Sequence, residues 1–481
     1  MSLHVELSPE AREHLCRQRR NSTISSCLVA FLFVVLLGLV LGFFLLNPTD
    51  KEPVIIVNYP PYPIDEPPIE KPKVRISTEH NPSTPSAHIN KVIVSINRSD
   101  MSIPVPEVDV STPSLEFGDG DDLGSDRGDD YGTGGKYINI PDPIRKRCTP
   151  QDRLARLRET GGTPECEDAV IKALRWMKAT QRPDGSWGPQ FPAAMTGLAL
   201  LAYLGHCETT NSPEFGETVS KAIIYLVNIG LKNDGRLTST GTFGGHQTVY
   251  EHGICTYALA EASTLGKGFG ITIPDLDAVT KKSCEIIIQG QGTGGGWGYG
   301  YANNGNDNSV GFWQIQALKA GKHTGLLEDE EFTKTTRKAL DFISSVQGPN
   351  GAVGYRTNPN QSPQLTGGAM LCFQLWGKNN TKEVRKGMKF IMDNTNFKWG
   401  DPSANLYYHY YHAQAAMNAG GSNWKKYNNM FRDELLKGQN SDGSWTQSGV
   451  KHGPINQHMA TCLATLMLEV YYRFLPGTGR Q

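Results

Sequence analysis

A short phrase returns along the C-terminal two thirds of this 481-residue chain, and its period dictates what the chain can build. Gln181-Arg-Pro-Asp-Gly-Ser-Trp187-Gly188 reappears as Gln439-Asn-Ser-Asp-Gly-Ser-Trp445-Thr446, and Gln291-Gly-Thr-Gly-Gly-Gly-Trp297-Gly298 lies between them. Weaker copies surround Asp234-Gly235-Arg-Leu237, Gln347-Gly-Pro-Asn-Gly351-Ala-Val353 and Asp393 to Trp399. The copies fall 46 to 60 residues apart.

Each phrase separates two helical stretches of different character. Before the first copy, Ala169, Val170, Ala173, Leu174 and Met177 recur at three and four, with Lys172, Arg175 and Lys178 between them. That pattern buries one stripe of an otherwise wet helix. After it, the stretch from Pro192 to Leu204 is apolar nearly all round and requires burial on every side. The Asp-Gly pair supplies a turn at positive φ. The Gln is expected to bond free carbonyls at the preceding helix end, and the Trp to cover the joint.

The same pairing reads six times. Wet helices begin near Glu165, Phe215, Pro274, Asp329, Thr381 and Asn423, and dry partners near Pro192, Glu251, Asp307, Gln364, Leu406 and Gln457. The predicted fold is all-α, an (α/α)6 toroid of six helical hairpins in two concentric rings. An open solenoid is the alternative, and it would expose the dry helices on its concave face.

The Gln…Gly-x-Trp phrases resemble the QW repeats of squalene and hopene cyclases. The toroid they imply is similar to those enzymes and to the β-subunits of protein prenyltransferases. The resemblance covers about Glu165 to Pro476, and it speaks for the fold more than for the chemistry.

Upstream, Leu28–Leu46 is an uninterrupted apolar run with the length of one membrane crossing. Arg12, Arg17, Arg19 and Arg20 precede it, which orients residues 1–27 to the cytoplasm and exports the C-terminal domain to the periplasm as a single-pass inner-membrane protein. A cleaved signal peptide is the alternative, and it lacks an Ala-x-Ala site here. Residues 47–145 are Pro-rich, then acidic and Gly-rich around Gly118 to Asp130, a composition that predicts a disordered linker. The toroid is expected over 146–481.

A net charge of −1 gives no reason to expect a nucleic-acid partner. Of the nine cysteines, Cys148 and Cys166 are the one pair singled out for a bridge, while Cys255, Cys372 and Cys462 fall on dry helices.

A toroid offers one cavity, at the N-terminal ends of its inner helices. Glu251, His252, Asp307, Asn308, Ser309, Thr366, Tyr408, His409, His412, Gln457 and His458 all lie at those ends. Helix capping accounts equally well for Asp307, Asn308 and Ser309. Among the aromatics, Trp313, Phe373, Tyr407, Tyr408, Tyr410 and Tyr411 could line a cavity or simply pack.

Asp307 to Gln314 is similar to the prenyltransferase segment that supplies a zinc-binding Asp and Cys, and Tyr408-His409 to its third ligand. Ser309 stands where that Cys belongs, and a neutral hydroxyl is a poor zinc ligand, so no metal or other cofactor is expected. Squalene-hopene cyclases place an Asp-x-Asp-Asp acid here. Only Asp307 survives within Gly305-Asn306-Asp307-Asn308.

Two functions follow. In one, the toroid is a non-catalytic module whose cavity holds an apolar small molecule, peptide or glycan. In the other, it is a cyclase- or prenyltransferase-like enzyme on an isoprenoid or other lipid, with Asp307, His409 and His252 as catalytic residues.

Overall fold

The computed structural model describes residues 147–301, 305–356, 363–446 and 456–473, and also Arg17, Gln18 and Val35. The chain divides into two units, Met1–Ile103 and Pro104–Gln481. In the first, the three described residues are helical. The expected membrane span Leu28–Leu46, apart from Val35, and the expected linker over 47–145 lie outside the described residues. Among the described residues no helix is long and apolar enough to cross a membrane.

The second unit begins with α1 (Pro150–Thr160) and continues as helical pairs. They are α2 (Pro164–Thr180) with α3 (Pro192–Gly205), α4 (Gly216–Lys232) with α5 (Thr248–Phe269), and α6 (Leu276–Gln289) with α7 (Asn308–His323). Next come α8 (Asp329–Ser345) with α9 (Pro363–Leu375), α10 (Lys382–Asn394) with α11 (Leu406–Ala419), and α12 (Gly421–Lys437) with α13 (Gln457–Leu468). A last turn, α14, spans Val470–Arg473. No strand occurs among the described residues.

The even-numbered members from α2 to α12 bury one stripe each, such as Val219, Ala222, Ile223 and Leu226 on α4. Their odd-numbered partners are buried almost throughout, α3 from Ala193 to Gly205 without a break. Each dry helix packs on the next, and α13 packs back on α3. The inner ring is therefore closed, and the solenoid is excluded.

The repeat phrase joins the rings in two directions. The indole Nε1 of Trp187, Trp297 and Trp445 donates to the carbonyl ten residues earlier, at Met177, Ile287 and Leu435, 2.7–2.8 Å away. Those carbonyls belong to the last turns of the preceding outer helices, where the regular ladder of backbone donors runs out. The glutamines do not reach that end, contrary to the sequence expectation. Gln181, Gln291, Gln347 and Gln439 each donate to their own loop and to the first half of the next outer helix, at Thr218, Thr335, Glu383 and Ala169. The tryptophan already occupies the preceding helix end, so the amide points forward.

The turn glycine explains how the helix comes so close. At Gly185, Gly295, Gly351 and Gly443, with φ between 89° and 95°, an added Cβ would lie 2.3–2.5 Å from a lysine carbonyl of that next helix. Only a residue without Cβ fits both the conformation and the contact. The fifth copy departs from this pattern. Phe397 is buried in it, and Trp399 lies against Gly438 at the end of α12 with its backbone N–H bonded to Glu434.

The far end of the ring is sealed by charge. Glu261 of α5, partly buried, meets the buried Arg473 at 2.9 Å and the buried Arg147 at 3.5 Å, and Arg473 also donates to the Tyr257 hydroxyl. Arg153 of α1 pairs with Glu167 at 2.6 Å. Cys148 is bridged to Cys207, just beyond α3, and not to Cys166, which is a buried thiol on α2. The incoming chain runs along the end of α3, which sets Cys207 beside it.

Candidate functional site

A cavity of about 440 Å³ opens where the first turns of the inner helices converge. Its apolar wall includes Met195, Leu198, Ile254, Trp313, Leu365 and Met459. Tyr250, Tyr299, Tyr407, Tyr408, Tyr355 and Phe191 complete an aromatic collar, the last two more than a third exposed. Polar groups are few, and the hydrogen bonds show where they are spent.

Asp307 is the N-cap of α7 and accepts from the Ser309 backbone N–H at 2.9 Å, the capping role open to it from sequence. The same oxygen, Oδ1, accepts from the Ser309 hydroxyl at 2.5 Å. Oδ2 accepts from the Tyr299 hydroxyl at 3.0 Å and faces the Arg356 guanidinium at 3.5 Å. Because Ser309 donates to Asp307, its oxygen accepts from Tyr250, 2.7 Å away. Burial pushes the Tyr250 phenol well up, which keeps it a neutral donor. Across the cavity, Trp313 donates its indole N–H to the Tyr407 hydroxyl at 3.0 Å.

Glu251 lines the cavity too, and its carboxylate serves a neighbouring helix. The N-cap of α3 is Phe191, which has no side-chain cap to offer. Instead the Ser239 hydroxyl accepts from the Ala193 N–H while donating to Glu251, and the Ser239 N–H donates to Glu251 at 3.0 Å. Glu251 thus caps α3 from α5. Burial raises its carboxyl above the ordinary range, against the pull of these bonds.

The two histidines expected to be catalytic, His252 and His409, stand outside the cavity. His252 Nδ1 accepts from the Leu237 N–H at 3.0 Å, so Nε2 carries the proton and donates to Ser283 at 3.1 Å. His409 repeats this arrangement. Nε2 donates to the Ser403 carbonyl at 2.8 Å and Nδ1 accepts from the Tyr427 hydroxyl at 2.6 Å. Burial brings each to about 3, so both are neutral and locked in one tautomer.

The repeat explains His252. The backbone N–H of Trp187, Val353 and Trp445 donates to Thr196, Thr366 and Thr461 of the following inner helix. In the second copy Leu237 stands for the Trp, and His252 for the threonine.

The remaining candidates divide in the same way. Glu251, Ser309, Trp313 and Tyr408 line the cavity. Asn308 instead bonds the Gly354 carbonyl, Thr366 serves Val353, and Gln457 donates to the Ser444 hydroxyl at 2.8 Å. His458 lies against the Trp176 ring and His412 between His409 and Tyr427. Phe373, Tyr410 and Tyr411 are packed in the core. Among the described residues no group of three His, Cys, Asp or Glu side chains could hold a metal ion.

No protein-family model matches the chain, and no curated protein matches it. Solved structures similar to it include the α-1,6-mannanase GH76A from Salegentibacter sp. HEL1_6, at 13% identity and a TM-score of 0.48, covering 64% of this chain and 98% of that one. A type II terpene cyclase variant from Scytonema is similar at 9% identity and a TM-score of 0.42, covering 68% and 99%. A structure described only as a glycosidase matches at 8% identity and 0.44, covering 65% and 97%. At these values the likeness carries no argument about chemistry.

Proposed function

We propose that this chain is a single-pass membrane protein carrying an exported toroid of the prenyltransferase/squalene-cyclase-like type, and that the toroid is a non-catalytic module holding an apolar small molecule in its cavity. One observation carries the choice of ligand. Tyr250, Ser309, Asp307, Tyr299 and Glu251 satisfy one another or a helix end, so apart from Gln247 the aromatic and aliphatic wall is the principal contact surface. A glycan or peptide would need more uncommitted donors and acceptors than the Gln247 amide supplies.

The enzyme alternative fares worse. Both Asp307 oxygens accept hydrogen bonds, which suits an anion and not an acid that protonates an alkene. His252 and His409 lie behind the wall.

The Leu28–Leu46 run with its upstream arginines supports the anchor. The Cys148–Cys207 bridge fits an oxidising compartment.

Mass spectrometry of apolar compounds retained by the purified full-length protein tests the ligand. A stoichiometric compound is expected, reduced when Ala194→Phe fills the cavity. Equal recovery from the variant, or none beyond a detergent blank, sinks the reading. Conversion of the recovered compound on incubation would restore the enzyme. Protease added to sealed spheroplasts should degrade the toroid, and full protection would overturn the topology.

A further inference from the structure

The Gly354–Arg356 segment crosses the rim and meets α7 at several points. Asn308, 2% exposed, donates its backbone N–H to the Tyr355 carbonyl at 3.0 Å and its amide to the Gly354 carbonyl at 2.7 Å. One residue further on, the Arg356 guanidinium faces Asp307 at 3.5 Å and lies over the Tyr299 ring, 5.6 Å from its centroid. Between these anchors Tyr355 lines the cavity while 37% exposed.

The two partners of the ion pair differ in kind. Asp307 is buried and fixed by Ser309 and Tyr299, and its side chain is only 4% exposed. The Arg356 side chain is 53% exposed. Water and salt therefore reach the guanidinium, and the pair is held weakly on that side. When Arg356 leaves, the carboxylate keeps its hydrogen bonds from Ser309 and Tyr299 at the start of α7, which offset part of the lost pairing.

We infer that Tyr355 is a latch on the cavity mouth, held shut by the Arg356–Asp307 ion pair, and that this pair governs entry to the cavity. The inference builds on the cavity as a ligand site, yet its test needs no ligand. Asp307, the single acid surviving from the motif, is then the fixed catch of the latch. The Tyr355 side chain, which also bonds Tyr408, is the moving part, and Asn308 anchors the backbone on which it turns.

The test is chemical access. In the full-length protein, Ala194→Cys places a thiol on the cavity wall, and its labelling by uncharged N-ethylmaleimide is followed by peptide mass. Adding Arg356→Ala should raise the labelling rate roughly two- to fivefold, the weight of an exposed ion pair. High salt should accelerate labelling when Arg356 is present and have no effect when it is absent. Ile224→Cys on the exposed face of α4 should label at one rate throughout. Equal rates with and without Arg356, or salt acceleration that survives its removal, would overturn the latch. So would an acceleration shared by Ile224→Cys, which would mean general loosening. An empty result in the ligand search leaves all these rates interpretable.

Discussion

Gln439 donates its side-chain amide to the carbonyl of Ala169, 2.8 Å away and 270 positions earlier in the chain. The last copy of the repeat thereby grips the first outer helix as every other glutamine grips the helix that follows it. Trp424 to the Thr160 carbonyl, at 2.6 Å, strengthens the same seam. Ring closure thus reuses a contact of the ring itself.

Removing that grip should cost as much at the seam as elsewhere. Gln439→Ala and Gln181→Ala each delete two donor contacts to backbone carbonyls, worth about 1–2 kcal/mol together. Urea unfolding of the two variants should give similar losses. A Gln439 variant as stable as the parent would show that the seam is held by other contacts.

Trp445 belongs to the scaffold and not to the cavity. It is fully buried, bonds Leu435 and Thr461, and is absent from the cavity wall. Trp445→Ala should cost about 3–5 kcal/mol, while the surviving folded fraction keeps its affinity for any cavity ligand. Loss of binding at unaltered thermal stability would place the tryptophan in the site.

The sealed end should give the protein a pH-dependent stability. Burial pushes the Glu167 carboxyl up, but the contacts with His206 and Arg153 outweigh it and bring the group to about 2 from an ordinary 4.5. A depressed acid contributes fully above pH 4.5, and its contribution is lost as the pH falls towards 2. His206 is lowered by burial and raised further by its bonds to Glu167 and Glu208, for a net rise above 6.5. Its contribution is complete below pH 6.5 and fades as the pH climbs through the raised value. The two shifts share one contact, with a combined ceiling of about 3 kcal/mol. Glu167→Gln should therefore lose most stability between pH 4.5 and 6.5, measured by urea unfolding. A deficit that is constant from pH 3 to 8 would contradict the assignment.

Zinc should be absent from the purified protein, and a thiolate placed at position 309 should not recruit it. Ser309→Cys places a sulfur beside Asp307, but both His409 nitrogens are committed to Ser403 and Tyr427. Elemental analysis should find no stoichiometric zinc in either form. One zinc per chain in the variant would mean that His409 can leave its partners.

Repeat spacing made most of this architecture legible. The wet and dry helices begin within three residues of where their patterns start, because a stripe and an all-round apolar helix are properties of the sequence itself. Helix α1 escaped because Leu154 and Leu157 are its apolar residues and Arg153, buried on Glu167, carries its packing. Cys207 was invisible as a partner for Cys148, since the pairing depends on where the incoming chain crosses α3.

The histidines misled for a different reason. Polar residues at inner-helix starts invite a chemical reading, but His252 occupies the register of Thr196 and Thr461. Superposing the copies would have shown that. Tyr250, Tyr299 and Tyr355 were missed because two of them lie in loops that periodicity does not reach.

Because the chain arrives at the sealed pole, where Arg147 meets Glu261, the toroid is a goblet held by its foot. A pull applied upstream of Arg147 is borne by the Cys148–Cys207 bridge and the ion pairs of α1, and it reaches the rim only through the length of the inner helices.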